Sequence, residues 1–99
     1  MKKIFISQPM RGKTAEEIEN TRAAALIIAE SILGEKVEDI NPLIKGATDK
    51  SPLCMLGESI KAMSEADVVY FCSGWGQARG CRIEHACAIE YGLYIVKER

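Results

Sequence analysis

The residues best suited to small-molecule chemistry lie in two short segments and one helix. The first segment combines two cations with a proline and a glycine, and its members are Ser7, Gln8, Pro9, Met10, Arg11, Gly12 and Lys13. It leads into a helix start, where free amides and the helix dipole favour an anion such as a phosphate. It is neither a Walker loop nor a Gly-x-Gly-x-x-Gly fingerprint, so its spacing fits a phosphate site and a simple polar turn equally well.

Two further residues are candidates for contact with a ligand. Trp75, the only tryptophan, lies in a glycine-rich turn, where its indole either stacks on a base or covers the core. Glu84 lies about one turn into a helix that starts just past a buried strand, so we expect its carboxylate to point toward a crevice. The alternative interpretation is a surface glutamate that favours the positive end of the helix.

A metal site is not expected. The four cysteines are Cys54, Cys72, Cys81 and Cys87. They form no Cys-x-x-Cys pair, and their spacing to the single histidine, His85, matches no standard zinc pattern. We expect reduced thiols that pack as small hydrophobic groups. His85 points about 100° away from Glu84 on a helix, which favours a surface or dimer contact.

Composition narrows the class of protein. The 99 residues are enough for one domain, which we place over residues 1–99. Thirteen Lys and Arg against fourteen Asp and Glu give a net charge of −1, which offers no attraction to nucleic acid or an anionic membrane. The longest apolar stretches are far shorter than the ~20 residues of a membrane helix, and Lys2 and Lys3 are followed by no signal-peptide pattern. We therefore expect a cytoplasmic protein.

Four strands are predicted from β-rich runs bounded by turn residues. They cover 3–6, 36–40, 67–72 and 93–96. The third run is apolar throughout after its first residue, as in a parallel strand covered on both faces, whereas the charges in the second indicate an edge strand. Asp67 is expected to have a structural role at the start of strand three.

Three helices separate these strands. Thr14 and Glu17 have the spacing of a capping box, and Gly34 ends a helix whose apolar stripe includes Ile18, Ala25, Ala29, Ile32, Leu26 and Leu33. Ser51-Pro52 starts a second helix with Leu53, Leu56, Ile60 and Met63 as its stripe. The third runs from about Gly80 to Tyr91, and Gly92 stops it. Residues 43–50 lack periodicity.

Alternating strands and helices with right-handed crossovers predict a doubly wound α/β fold. Its sheet would have four parallel strands in the order 2-1-3-4, with helices on both faces. The winding reverses between strands one and three, and ligands bind outside the carboxyl ends of strands at such a point. The order therefore places the site between residues 7–13 and 73–80.

Several motifs together resemble a known family. They are Ile4-Phe-Ile-Ser-Gln-Pro-Met-Arg-Gly12, Ala66-Asp-Val-Val-Tyr-Phe71, and Gly80-Cys-Arg-Ile-Glu84 with Ala88 and Gly92. The set is similar to the nucleoside 2-deoxyribosyltransferase-like superfamily and most closely resembles its DUF4406 branch, found in phages and bacteria. The resemblance spans nearly the whole chain.

This resemblance implies a flavodoxin-like fold and cleavage of the N-glycosidic bond of nucleosides or nucleoside 5′-monophosphates. Glu84, four residues after the motif glycine Gly80, would be the nucleophile that forms a glycosyl-enzyme intermediate. The loop Ser7 to Gly12 would hold the sugar or its 5′-phosphate, with Arg11 on the phosphate and Trp75 near the base. The resemblance also implies a homodimer, and it implies no cofactor.

Two positions depart from the superfamily pattern. Ala78 stands where active members carry an aspartate, and Ser59 stands where another aspartate is frequent. Two hypotheses follow: a nucleoside or nucleotide N-glycosidase or deoxyribosyltransferase that uses Glu84, or a non-catalytic nucleotide-binding module of the same fold. A phage accessory protein that acts through a protein partner is a third.

Overall fold

The computed structural model describes residues 1–42 and 51–98, and in this part of the chain it contains a four-stranded parallel sheet. The strands are β1 (Lys2–Ser7), β2 (Val37–Asp39), β3 (Val68–Phe71) and β4 (Ile95–Lys97). Their order is β2-β1-β3-β4, with every neighbouring pair parallel. The predicted doubly wound fold and strand order are confirmed. The aperiodic segment 43–50 lies outside the described residues.

Three α-helices connect the strands: α1 (Ala15–Leu33), α2 (Pro52–Met63) and α3 (Arg79–Glu90). A 3₁₀ turn at Trp75–Gln77 precedes α3. Among the described residues, no helix is long and apolar enough to cross a bilayer.

The ends of α1 are fixed as its sequence predicts. The Thr14 hydroxyl accepts a hydrogen bond from the Glu17 amide (3.1 Å), and the Glu17 carboxylate accepts one from the Thr14 amide (2.9 Å). These hydrogen bonds lower the pKa of Glu17. At the other end Gly34 adopts a left-handed conformation with φ 72°, which favours glycine. The helix therefore has a defined start and stop.

The sheet divides the core into two layers. Ile4, Ile6 and Tyr70 pack with Ala25 and Ala29 of α1 on one face. Phe5, Val69 and Phe71 point to the other face, where Met63 of α2 and Ala88 of α3 cover them. This alternation follows from the two-residue period of a strand, and it buries β3 on both sides.

Polar side chains fasten the ends of the strands. The Lys3 amide donates to the Asp67 carboxylate at 2.7 Å, which gives Asp67 the structural role expected of it. Asn41 pairs with both backbone groups of Ile6, at 3.0 and 3.1 Å. On α1, Arg22 is buried and its guanidinium lies 2.8 Å from the Asp39 carboxylate, so the pair joins α1 to β2.

Two residues of the predicted apolar stripes are exposed. Ile32 is 54% exposed and Leu53 is 77% exposed. The opposite flank of α1 faces β2, because Glu30 accepts a hydrogen bond from the Val37 amide there. Ile32 is therefore turned away from that contact, and Glu30 joins α1 to β2. Leu53 belongs to the first turn of α2 and lines a crevice rather than the core.

Candidate functional site

The main crevice of the described structure lies at the carboxyl ends of β1 and β3, where the strand order places it. Its walls come from the loop after β1, the start of α2, the loop after β3 and the start of α3. Parallel α/β sheets bind ligands at this position because helix N-termini and strand ends converge there. The crevice is therefore the candidate ligand site.

Glu84 lies at the base of this crevice and is only 8% exposed. The Ser7 hydroxyl at the end of β1 donates a hydrogen bond to Glu84 Oε1 at 2.6 Å. Ser59 of α2 also forms a side-chain hydrogen bond with this carboxyl group. Three separate elements thus fix the position of one carboxylate.

The environment of Glu84 acts on its pKa in two directions. Burial raises the pKa because it disfavours the charged form, and the hydrogen bonds from Ser7 and Ser59 oppose that effect by stabilising the carboxylate. Burial dominates, so the pKa lies above its ordinary value. Carboxyl groups perturbed in this way are characteristic of functional sites.

Apart from Glu84, the charged side chains of the crevice lining are positive. Arg11 and Lys13 line the crevice from the first loop, and Arg79 and Arg82 line it from α3. Glu84 is the single acidic residue among the described residues of the lining. The crevice therefore favours an anionic ligand although the whole chain has a net charge of −1.

The start of α3 leaves space beside Glu84. Gly80 precedes Glu84 by four residues and so lies on the same face of the helix. A Cβ atom placed on Gly80 would meet no other atom within 4 Å. Ala78 is the N-cap residue, and no side chain caps the helix there. Gly80 therefore borders open crevice rather than a packing contact.

The loop after β1 forms the opposite wall. Gln8, Pro9, Met10 and Arg11 line the crevice, with Ser7 buried beneath them. The Gln8 amide nitrogen donates to the Ile18 carbonyl at 3.1 Å, which anchors the loop on α1. Gly12 does not belong to the lining. Its φ of 78° forms the turn that leads into α1.

The structure does not bring Trp75 to this crevice. Its ring stacks on His85, with centroids 4.2 Å apart, and it also contacts Phe71. Lys97 lies 5.4 Å above the same ring. Trp75 therefore covers the core layer formed with α3, which is the second of the two roles its position allowed.

His85 is half-buried, and its ring takes part in packing within the chain. Its ring packs between Phe71 and Trp75, and its Nε2 atom is buried without a hydrogen-bond partner among the described residues. Burial, followed by the nearby Lys97, lowers the pKa of His85. The neutral ring is thus a packing group at the sheet surface.

Two of the four thiols are buried in the described structure. Cys72 and Cys81 are buried, and burial raises the pKa of Cys72 to about 12 and also raises that of Cys81. Both are protonated at neutral pH and therefore poor nucleophiles. Within residues 1–42 and 51–98, no group of three side chains is arranged to bind a metal ion.

Two residues of the lining, Arg79 and Arg82, were not predicted from the sequence. Ser59 was noted as a departure from the superfamily pattern, but its interaction with Glu84 depends on how α2 packs on α3, which the sequence does not show. The arginines did carry a local signal. Two cations in the first turn of a helix oppose the helix dipole, and such a local conflict frequently marks a functional position.

Fold and crevice together define a small doubly wound α/β protein with a candidate ligand site at the point where the strand order reverses. Residues 2–97 match the model of the family described as "Domain of unknown function (DUF4406)", and the chain belongs to that family. The predicted resemblance to DUF4406 is thereby confirmed. No curated protein and no solved structure gives a significant match.

Proposed function

We propose that this protein binds a nucleoside 5′-monophosphate in the crevice and cleaves its N-glycosidic bond with Glu84 as the nucleophile. The observation that carries this proposal is the buried Glu84 carboxylate, held by Ser7 and Ser59 at the carboxyl edge of β1 and β3. The motif resemblance to the nucleoside 2-deoxyribosyltransferase-like superfamily supports the same role for this residue. Nucleosides without a phosphate are the simpler form of the same substrate class.

The chemistry would have two steps. An ionised Glu84 oxygen attacks the anomeric carbon, and the carbon–nitrogen bond breaks with its electron pair leaving on the base, which takes up a proton. Water or a second base then attacks the same carbon and releases the Glu84 carboxylate. Water gives hydrolysis, and a second base gives transfer of the sugar.

Each neighbour of Glu84 has a part in this reaction. Ser7 and Ser59 hold the carboxylate in one orientation, which lowers the entropic cost of reaching the reactive geometry. Arg11 and Lys13 provide positive charge for the 5′-phosphate. Gly80 leaves the space in which the sugar would face the nucleophile.

The first experiment is chromatographic detection of free base from a panel of nucleosides and nucleoside 5′-monophosphates, with and without an acceptor base. We expect release by the wild type and none by Glu84→Gln, which keeps the shape of the side chain but cannot act as a carboxylate nucleophile. Glu90→Gln is the matched control, because Glu90 is exposed on the same helix and lies outside the crevice. Equal release by the wild type and Glu84→Gln overturns the assignment.

The panel also contains a nucleotide with a pyridinium base. This leaving group departs as a neutral molecule and needs no proton, whereas a purine or pyrimidine base does. If the wild type cleaves only the pyridinium substrate and Glu84→Gln cleaves none, Glu84 is the nucleophile and the protein lacks an effective proton donor for the other bases.

A second candidate function is a non-catalytic nucleotide-binding module, and Ala78 favours it. This alanine stands at the crevice where active members of the resembling superfamily carry an aspartate. In that case a monophosphate raises the Tm, Arg11→Ala removes the rise, and no substrate releases base. The implied homodimer remains a prediction. Size-exclusion chromatography with light scattering tests it by measuring the mass of the protein in solution.

A further inference from the structure

The crevice lining contains exposed apolar side chains as well as cations. Met10, Leu53 and Ile83 line the crevice and are 46%, 77% and 37% exposed. They come from three different elements: the loop after β1, the first turn of α2, and α3. We call these three side chains the apolar wall.

We propose that the apolar wall binds the planar base of the nucleotide. This inference rests on the proposed function, since the base is the part of that substrate that is flat and largely apolar on its faces. The wall and the four cations of the lining face one crevice, so together they match a ligand with an aromatic body and an anionic group.

The chemistry of the three side chains suits a ring. The Met10 thioether is polarisable and makes favourable contacts with aromatic rings. Leu53 and Ile83 provide branched apolar surface, and covering exposed apolar surface is favourable in proportion to the area removed from water.

The apolar wall and the nucleophile share one crevice. Ile83 and Glu84 are consecutive residues of α3 whose side chains point about 100° apart, and both line the crevice. The base is joined by one bond to the carbon that Glu84 attacks and leaves from the face opposite that carboxylate, so the base lies in the same crevice, across the sugar from Glu84. Trp75, the other candidate for stacking, is half-exposed and stacks on His85, and it lines a neighbouring cavity rather than the crevice that holds Glu84.

Isothermal titration calorimetry with nucleoside 5′-monophosphates and with ribose 5-phosphate tests this proposal. The titrations use the Glu84→Gln protein, so that no ligand is consumed. Leu53→Ser and Ile83→Ser are expected to raise the Kd of the monophosphates about tenfold each and to leave the Kd of ribose 5-phosphate unchanged. Ile89→Ser is the control, since Ile89 is an exposed isoleucine of α3 outside the crevice.

Several results would overturn the apolar wall as a base site. The wall substitutions could weaken the binding of monophosphates and of ribose 5-phosphate equally, or change the Kd of neither. The unsubstituted wall could also bind ribose 5-phosphate more tightly than any monophosphate, or bind no nucleotide at all. A change of oligomeric state in Leu53→Ser would instead show that a second copy covers the wall.

The two proposals fail separately. Discriminating binding without base release by the wild type overturns the glycosidase and leaves the base site intact. If the wild type releases base but the wall substitutions leave the Kd of the monophosphates unchanged, the base site is overturned and the glycosidase proposal stands.

Discussion

Replacing Gly80 by alanine should stabilise the fold and at the same time weaken the binding of nucleoside 5′-monophosphates. Gly80 has no positive φ, and an added Cβ meets nothing within 4 Å, so the fold accepts the methyl group without strain. Alanine in a helix is favoured over glycine by roughly 0.5–1 kcal/mol, and the first-turn position of Gly80 suggests the lower figure. For a domain of this size, 0.5 kcal/mol corresponds to a rise in Tm of about 2–4 °C.

The same methyl group would occupy the space in front of Glu84. We therefore expect Gly80→Ala to lose binding of nucleoside 5′-monophosphates at least tenfold, measured by calorimetry on protein whose Tm has been recorded. Gly57→Ala is the matched control, because Gly57 lies inside α2, has equally open space around its Cα, and is absent from the crevice lining. Its Tm should rise by at least as much, with ligand binding unchanged.

Gly80→Ala could instead bind nucleoside 5′-monophosphates as tightly as the wild type, which would refute this prediction. Such a result would mean that the ligand does not approach the face of α3 that carries Gly80 and Glu84. A fall in Tm for Gly80→Ala, with a rise for Gly57→Ala, would instead contradict the structural argument that the space around Gly80 is open.

Three further predictions concern single side chains. Because burial raises the pKa of Glu84, its ionised form destabilises the fold at neutral pH. Glu84→Gln should therefore raise the Tm at pH 7. The difference in Tm between this variant and the wild type should vanish as the pH falls below 4.5, the ordinary pKa of a glutamate. Ala78→Asn and Ala78→Asp should each stabilise α3 by about 1 kcal/mol in urea unfolding by supplying a cap, while only the aspartate variant should increase base release. Asp39→Ala leaves the buried Arg22 without its ion-pair partner and should lower the free energy of unfolding, measured with urea, by about 3 kcal/mol. A decrease of less than about 1 kcal/mol would contradict the importance of this ion pair.

The local signals in the sequence predicted the backbone well. The capping box at Thr14 and Glu17 and the glycine at position 34 define α1 to within one residue, because these signals act through hydrogen bonds and φ angles of the chain itself. The strand order also followed from the alternation of elements, which leaves few arrangements open.

Side-chain orientation was less predictable. The contact of Glu84 with Ser7 follows from the adjacency of β1 and β3, and the expected direction of Glu84 agrees with it. Trp75 depends on the turn that follows β3, and its stacking on His85 is decided by packing that no spacing reveals. Leu53 has the spacing of a core residue but lines the crevice, since only the docking of α2 determines which flank it presents.

The hydrogen bond between Ser7 and Glu84 joins residues 77 positions apart in the chain. β1 is an inner strand, and its neighbour β3 becomes available only after two thirds of the residues have been made. Such long-range parallel pairing raises the contact order of a fold and slows its formation. During synthesis the nascent chain therefore has no assembled site until α3 has left the ribosome, and recovery of ligand binding after dilution from denaturant measures a late step of folding.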